Sequence, residues 1–316
     1  MWGDMFDRYD PRDDDLRDRG GWSERSPGSR GGGERAGGRD DEGGVFARHV
    51  DLPRGPEREI VRERGRSYEL NGREGEALAT IAAFRVVQMS DVHEMLDHGR
   101  GERSAQKSLE HLQDSGLLER IPMERRDEDV VVATDRGRDL LEGNRREHAG
   151  ERQQAFYAGL RKPRELTHDV QVYRACRDAE AQIRDQGGRV RRVVLDYELK
   201  REYQQFLHER NRGRADSSGR PDRTPEEIAG WAKDHDLPCS DDGHVRFPDA
   251  RIEFEDRDRL EQHRDIEAVT PHYRGAHAAA VASSGFQSYR GGVSAQGTGR
   301  RGGRAPDPRL AEGFLG

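Results

Sequence analysis

The stretch NGREGEALATIAAFRVVQMSDVHEMLDHGRGERSAQKSLEHLQDSGLLERIPMERRDEDVVVATDRGRDLLEGN, residues 71–144, decides how the chain folds. Asn71 and Glu74 have the spacing of a reciprocal N-cap pair, and Ala77, Leu78, Ile81 and Phe84 follow at helical intervals to make one apolar face. Ser90 is expected to cap a short second helix, SDVHEML, with Val92, Met95 and Leu96 inward, and Gly99 and Gly101 supply the next turn. A third helix over residues 102–114 buries Ala105, Leu109 and Leu112, turns Arg103, Gln106, Lys107 and Glu110 away from them, and stops at Gly116 as a left-handed C-terminal position. Two strand-like runs, 117–121 and 130–133, then flank a charged tip, and Thr134 caps a further helix carrying Leu140 and Leu141.

Three helices, a hairpin with a charged tip and a fourth helix make the order of a winged helix-turn-helix. The phrase SLEHLQDSGLLERI…VVVATDRGRDLL resembles the MarR- and PadR-like winged-helix families over about 70 residues. That resemblance implies double-stranded DNA as partner, with the third helix in the major groove and the hairpin along the backbone. On it, Arg103, Ser104, Gln106 and Lys107 become candidates for base or phosphate contacts, with Arg125 and Arg126 on the wing. The competing reading is a solvated helix face and a solvated turn, and the acids Glu124, Asp127, Glu128 and Asp129 around the tip weaken its attraction for phosphate.

Composition sets the outer limits. Only 31% of the residues are hydrophobic and 37% are charged, so much of the chain is not packed core. The first stretch alternates Asp, Arg and Gly with hardly an aliphatic side chain, and residues 1–67 read as a disordered tail and linker. The formal charge of −7 excludes a uniformly basic coat, so any nucleic-acid contact must come from a local patch. Two cysteines far apart signal neither a disulfide framework nor a zinc site. With no signal peptide and no long apolar run, the expected setting is the cytoplasm and not a membrane.

Beyond the winged helix (68–143) and a polar helical connector (144–162), a second region over 163–289 reads as α/β. Pro163 and a Thr167 cap open a helix with the stripe Leu166, Val170, Tyr173, Cys176, Ala179 and Ile183, ended by Gly187 and Gly188. A strand follows over 190–199, then a short helix with Tyr203, Phe206 and Leu207, and a loop insertion at about 211–223. Thr224, Pro225 and Glu227 then form a strong helix start. Strands at 250–255 and 264–269 precede a last helix from Thr270 and Pro271, and residues 290–316 read as a disordered tail. The segments ELTHD, VVLDYELKR, FPDARIEF, DIEAVTPHYRGAH and SGFQSYR resemble the replication-relaxation family of plasmid and other mobile-element proteins, which joins an N-terminal winged helix to a domain of this kind. The fold expected is therefore α+β: a winged helix followed by a small α/β domain, with disordered termini.

Chemistry is suggested by Asp249 and Glu267, acids on neighbouring strands that resemble the PD-(D/E)xK nuclease core and could hold Mg²⁺ through carboxylate oxygens. His168 is a candidate general base or ligand beside them. The lysine that the nuclease pattern requires is replaced by Val269, leaving Arg274 or Lys200 to supply charge from elsewhere. Glu198-Leu199-Lys200 has the ExK form but the wrong order, and Tyr273 is a conceivable nucleophile without a histidine cluster beside it. The structural alternative is an Asp249 that ends a turn, a Glu267 in a buried ion pair and a His168 that caps a helix. The expected function is a DNA-binding protein of a plasmid or mobile element that supports replication, relaxation or transfer, a binding module more than an enzyme. Its expected partners are duplex DNA, replication or conjugation machinery and, as the family resemblance implies, a second copy of itself. The rivals are a metal-dependent nuclease using Asp249 and Glu267, and a winged-helix transcription regulator.

Overall fold

The computed structural model describes residues 44–97, 99, 101–123, 128–146, 152–160, 166–211, 222–240, 243–269 and 286–290. Of the tails expected at 1–67 and 290–316, residues 1–43 and 291–316 lie outside the described residues, as do the bulk of the loop insertion and the helix expected from Thr270, while Arg290 ends a strand.

Order begins well before Asn71. Residues 44–67, expected as linker, contain a 3₁₀ turn, Ala47–His49, and a hairpin of β1 (Glu59–Glu63) and β2 (Arg66–Leu70). The two strands pair antiparallel from Glu59↔Leu70 to Glu63↔Arg66, and Arg64 and Gly65 between them both have positive φ, 44° and 80°. That is the backbone of a two-residue turn whose twist matches the strands. Phe46, Val50, Leu52, Val61, Tyr68 and Leu70 are buried. These few apolar side chains, scattered among charges, anchor a segment whose average composition reads as disorder.

The stretch quoted first then folds as α1 (Gly72–Phe84), β3 (Val87–Gln88), α2 (Met89–Asp97), α3 (Glu102–Asp114), β4 (Leu118–Ile121), β5 (Val130–Ala133) and α4 (Asp135–Gly143). The Asn71–Glu74 capping box is present in both directions. Ser90 is not the cap of α2, which starts one residue earlier. Glu128, from the far side of the hairpin, accepts the Ser90 backbone N–H and the Gln88 amide instead. Gly116, at φ +70°, follows α3, and the Leu117 N–H returns to the Leu112 carbonyl to close the helix end. The short β3, unforeseen in the sequence, pairs with β5 to give the sheet order β3-β5-β4.

Gly137 shows how tightly α4 seats. An added Cβ would lie 2.3 Å from the Leu117 carbonyl oxygen and 3.1 Å from Leu78. Gly to Ala inside a helix ordinarily gains about 1 kcal/mol. Here Gly137→Ala is expected to lose about 1–3 kcal/mol by overpacking against backbone. A urea midpoint at or above wild type would contradict that seating.

The second half contributes α5 (Leu166–Asp185), β6 (Arg189–Leu195), α6 (Asp196–His208), α7 (Pro225–Asp234), β7 (Ala250–Glu255), β8 (Glu261–Val269) and β9 (Gln287–Arg290). Its sheet order is β6-β7-β8-β9, antiparallel except for the parallel β8–β9 pair, and β9 had no counterpart in the sequence pattern. The expected stripe on α5 is buried throughout, but Thr167 lies within the helix and is not its cap. The strand expected over 190–199 ends at Leu195, because Asp196 to His208 has helical spacing that buries Glu198, Leu199 and Leu207. Thr224 and Glu227 form the expected capping box with proline in the first turn.

The connector is not helical where it is described. Residues 152–160 form neither helix nor strand, Gln154 is fully buried, and its amide donates to the Val193 carbonyl while its Oε1 accepts the Val193 N–H, each at 2.9 Å. Nor are the two halves separate in their packing. One apolar cluster runs from Phe46, Leu78 and Phe84 into Tyr173, Cys176, Val193 and Ile266. Phe84 meets Tyr173 edge to face at 5.0 Å between ring centroids, and Arg174 on α5 binds Asp91 on α2 through two hydrogen bonds of 3.0 and 3.2 Å. The fold is mixed α+β with small sheets, and among the described residues no helix is long and apolar enough to cross a membrane.

Candidate nucleic-acid interface and acidic cluster

The apolar row of α3, Ala105, Leu109 and Leu112, is fully buried, which fixes the opposite face outward. Arg103 and Lys107 are exposed, and neither has a carboxylate partner among the described residues. Ser104 is half-buried beside them. Gln106 differs from expectation: its oxygen lies 3.0 Å from His93 Nε2 and its amide donates to Glu110 at 2.7 Å. Both ends of the amide are occupied within the protein, so a base contact would require it to release them. Arg125 and Arg126, at the hairpin tip, lie outside the described residues.

Two of the acids expected to repel phosphate at this hairpin are drawn inward. Glu128 binds the start of α2, and Asp129 accepts from Arg120 Nε at 2.5 Å and from the Met123 N–H at 3.3 Å. Arg120 matches the charge of Asp129, whereas Glu128, hydrogen-bonded to neutral donors, keeps its negative charge.

The acidic pair is positioned by the β7–β8 register. Ala250 pairs with Ile266, so Asp249 and Glu267 sit one step beyond that pair on neighbouring chains. Asp249 is also reached from α5. Its Oδ1 is 3.1 Å from His168 Nε2, and its Oδ2 accepts the Ala268 N–H at 2.8 Å. The other ring nitrogen of His168 is 3.6 Å from Asp169. Burial pulls the imidazolium pKa down, but hydrogen bonds and charge from Asp169 and Asp249 outweigh it and raise it to about 10. The two acidic neighbours favour the protonated form of His168, and a general base at neutral pH would have to give up that proton. Asp249 in turn has a protein donor on each oxygen, and one of them, His168, sits beside it as a competing positive charge for Mg²⁺. Glu267 is buried at 6% exposure.

The remaining pieces of the nuclease pattern are also employed structurally. Lys200 pairs with Asp196 at 2.6 Å along α6, and Glu198 accepts the Tyr157 hydroxyl at 2.8 Å. Burial pushes the pKa of the nearby Cys176 thiol up, with the charges of Asp249 and Glu180 adding to it. Arg274 and Tyr273 lie outside the described residues. Among the described residues no group of three or more His, Cys, Asp or Glu side chains is arranged to hold a metal ion. The arrangement around Asp249 does the work of a clamp, joining the start of α5 to the ends of β7 and β8.

Sequence reasoning passed over Arg66 and Arg136, which lie with His111 and Ser115 beside the end of α3. The four-residue spacing Arg103, Lys107, His111, Ser115 leads along an inclined ridge of α3 to its C-terminal cap, but nothing local in the sequence points to Arg66 or Arg136. No protein-family model, curated protein or solved structure matches this chain.

Proposed function

We propose that this chain is a DNA-binding protein of a plasmid or other mobile element, in which α3 and the β4–β5 hairpin act as a winged helix on duplex DNA. The observation that carries the reading is the outer face of α3, where Arg103 and Lys107 stand exposed and without carboxylate partners in a protein of net negative charge. The ion pair of Asp129 with Arg120 supports it by balancing one of the acids at the hairpin that a DNA strand would meet. The sequence likeness to the replication-relaxation family supports assigning the second half to the recruitment of replication or transfer machinery. A second copy of the chain is a further partner in this reading.

The test is binding of a fluorescent DNA duplex by wild type and by Arg103→Ala/Lys107→Ala across a salt series. Removing two phosphate contacts is expected to reduce the slope of log K against log salt by about 1.8, at about 0.9 per contact. Equal slopes and affinities for the two proteins would remove α3 from the interface. The same preparation incubated with supercoiled plasmid and Mg²⁺ is expected to retard it without nicking, given the clamped state of Asp249. Metal-dependent nicking lost in Asp249→Asn would instead favour the nuclease reading.

A further inference from the structure

The hairpin that precedes α1 brings Arg66, on β2, to the same groove as Arg136, on α4. Between β2 and the end of α3 lies a groove lined by Arg66, Tyr68, Glu69, His111, Ser115 and Arg136, among others. Arg66 and Arg136 are both exposed, and neither guanidinium has a hydrogen bond or an ion pair among the described residues. Most arginines elsewhere do: Arg58, Arg120, Arg145, Arg174, Arg192 and Arg251 all face carboxylates. Arg136 lies with its guanidinium against Gly116, at the point where α3 ends. Among the described residues, Glu69 is the sole acid lining the groove. Glu74, fully buried 3.3 Å from His111 Nδ1, is already met by two hydrogen bonds from Arg58, so its charge is largely balanced before it reaches the groove.

The groove is continuous with the proposed DNA-binding face. Arg103, Lys107, His111 and Ser115 follow at four-residue intervals along an inclined ridge that leads from the outer face of α3 to its C-terminal cap, turning about 40° per step. From Arg103 to Ser115 this ridge runs about 18 Å at 1.5 Å per residue. A DNA strand carries one phosphate per 3.4 Å of axis, so that length spans about five nucleotides. We infer that Arg66 and Arg136 form a second phosphate-binding site, which holds the backbone of a DNA duplex where it leaves α3. The site extends the DNA-binding reading above and rests on it.

The experiment compares duplex binding by wild type, Arg66→Ala/Arg136→Ala, Arg103→Ala/Lys107→Ala, the quadruple variant, and the control Arg201→Ala/Arg259→Ala, which removes equal charge from exposed positions elsewhere. Melting midpoints establish that each protein is folded. Arg66→Ala/Arg136→Ala is expected to lower the salt slope by about 1.8, and the quadruple variant by about 3.6, with the control close to wild type. Wild-type slope and affinity in Arg66→Ala/Arg136→Ala, alongside a loss in Arg103→Ala/Lys107→Ala, would overturn the groove site and leave the α3 interface standing. An equal loss in the control would also overturn it, as a non-specific charge effect. A wild-type protein that binds no duplex would overturn the DNA-binding reading and the groove site together.

Discussion

Asp265→Asn is expected to destabilise the fold by about 3–5 kcal/mol, because it leaves the Arg251 guanidinium buried without its counter-charge. Arg251 and Asp265 are register partners on β7 and β8, joined through both carboxylate oxygens at 2.6 and 2.8 Å, with side chains only 8% and 10% exposed. The same guanidinium donates to the carbonyls of His235 at 2.6 Å and Asp236 at 3.1 Å, just past the end of α7. It therefore fixes a helix end to the sheet as well as balancing an acid. Replacing both partners with apolar residues, Arg251→Met/Asp265→Leu, is expected to recover much of the loss, since no isolated charge remains. Full recovery is not expected, because the two carbonyls lose their donor. Urea unfolding of the three proteins measures both effects, and an Asp265→Asn midpoint equal to wild type would rule out a significant role for the pair.

The second large effect concerns pH. His168 has its pKa raised from 6.5 to about 10 by Asp169 and Asp249, against the opposing effect of burial. A group whose pKa rises on folding takes up its proton more tightly in the folded state. The stability it confers is complete below pH 6.5 and is lost progressively as the pH climbs to about 10. His168→Gln is accordingly expected to cost about 2–4 kcal/mol near pH 6, a figure held below the full linkage value because the ring is partly exposed. The gap between variant and wild type should narrow steadily toward pH 10. Denaturation at about pH 6, 8 and 10 reads this directly. A constant gap across that range would mean that the imidazole packs without carrying the charge.

What the sequence disclosed depended on how far apart the cooperating residues lie. Asn71 with Glu74 and Thr224 with Glu227 sit within one helical turn, so their capping was legible from spacing alone. The stripe on α5 was legible for the same reason. The β1–β2 hairpin was not, since its burial depends on Val61, Tyr68 and Leu70 finding a surface that the rest of the chain provides. Ser90 looked like a cap because nothing local reveals that Glu128, 38 residues on, takes that place. At the candidate sites the exposure of Arg103 and Lys107 followed from the apolar row opposite them, whereas the capture of Gln106 by His93 did not. The proximity of Asp249 to Glu267 followed from two adjacent strands. That His168 would reach Asp249 and convert a potential metal ligand into half of an ion pair was a matter of tertiary packing.

The Gln154 side chain bonded to β6 has a meaning beyond its two hydrogen bonds. In the order β6-β7-β8-β9, β6 is an outer strand, and its free side presents backbone groups that another polypeptide could pair with. Gln154 engages both groups of Val193, a ring nitrogen of His49 lies 2.8 Å from the Arg191 carbonyl oxygen, and Arg192 reaches back to the Gln153 carbonyl at 2.9 Å. The chain thus seals its own sheet with side chains in place of a further strand. Loosening the segment around Gln154 is expected to expose these backbone groups to pairing with a strand of another molecule.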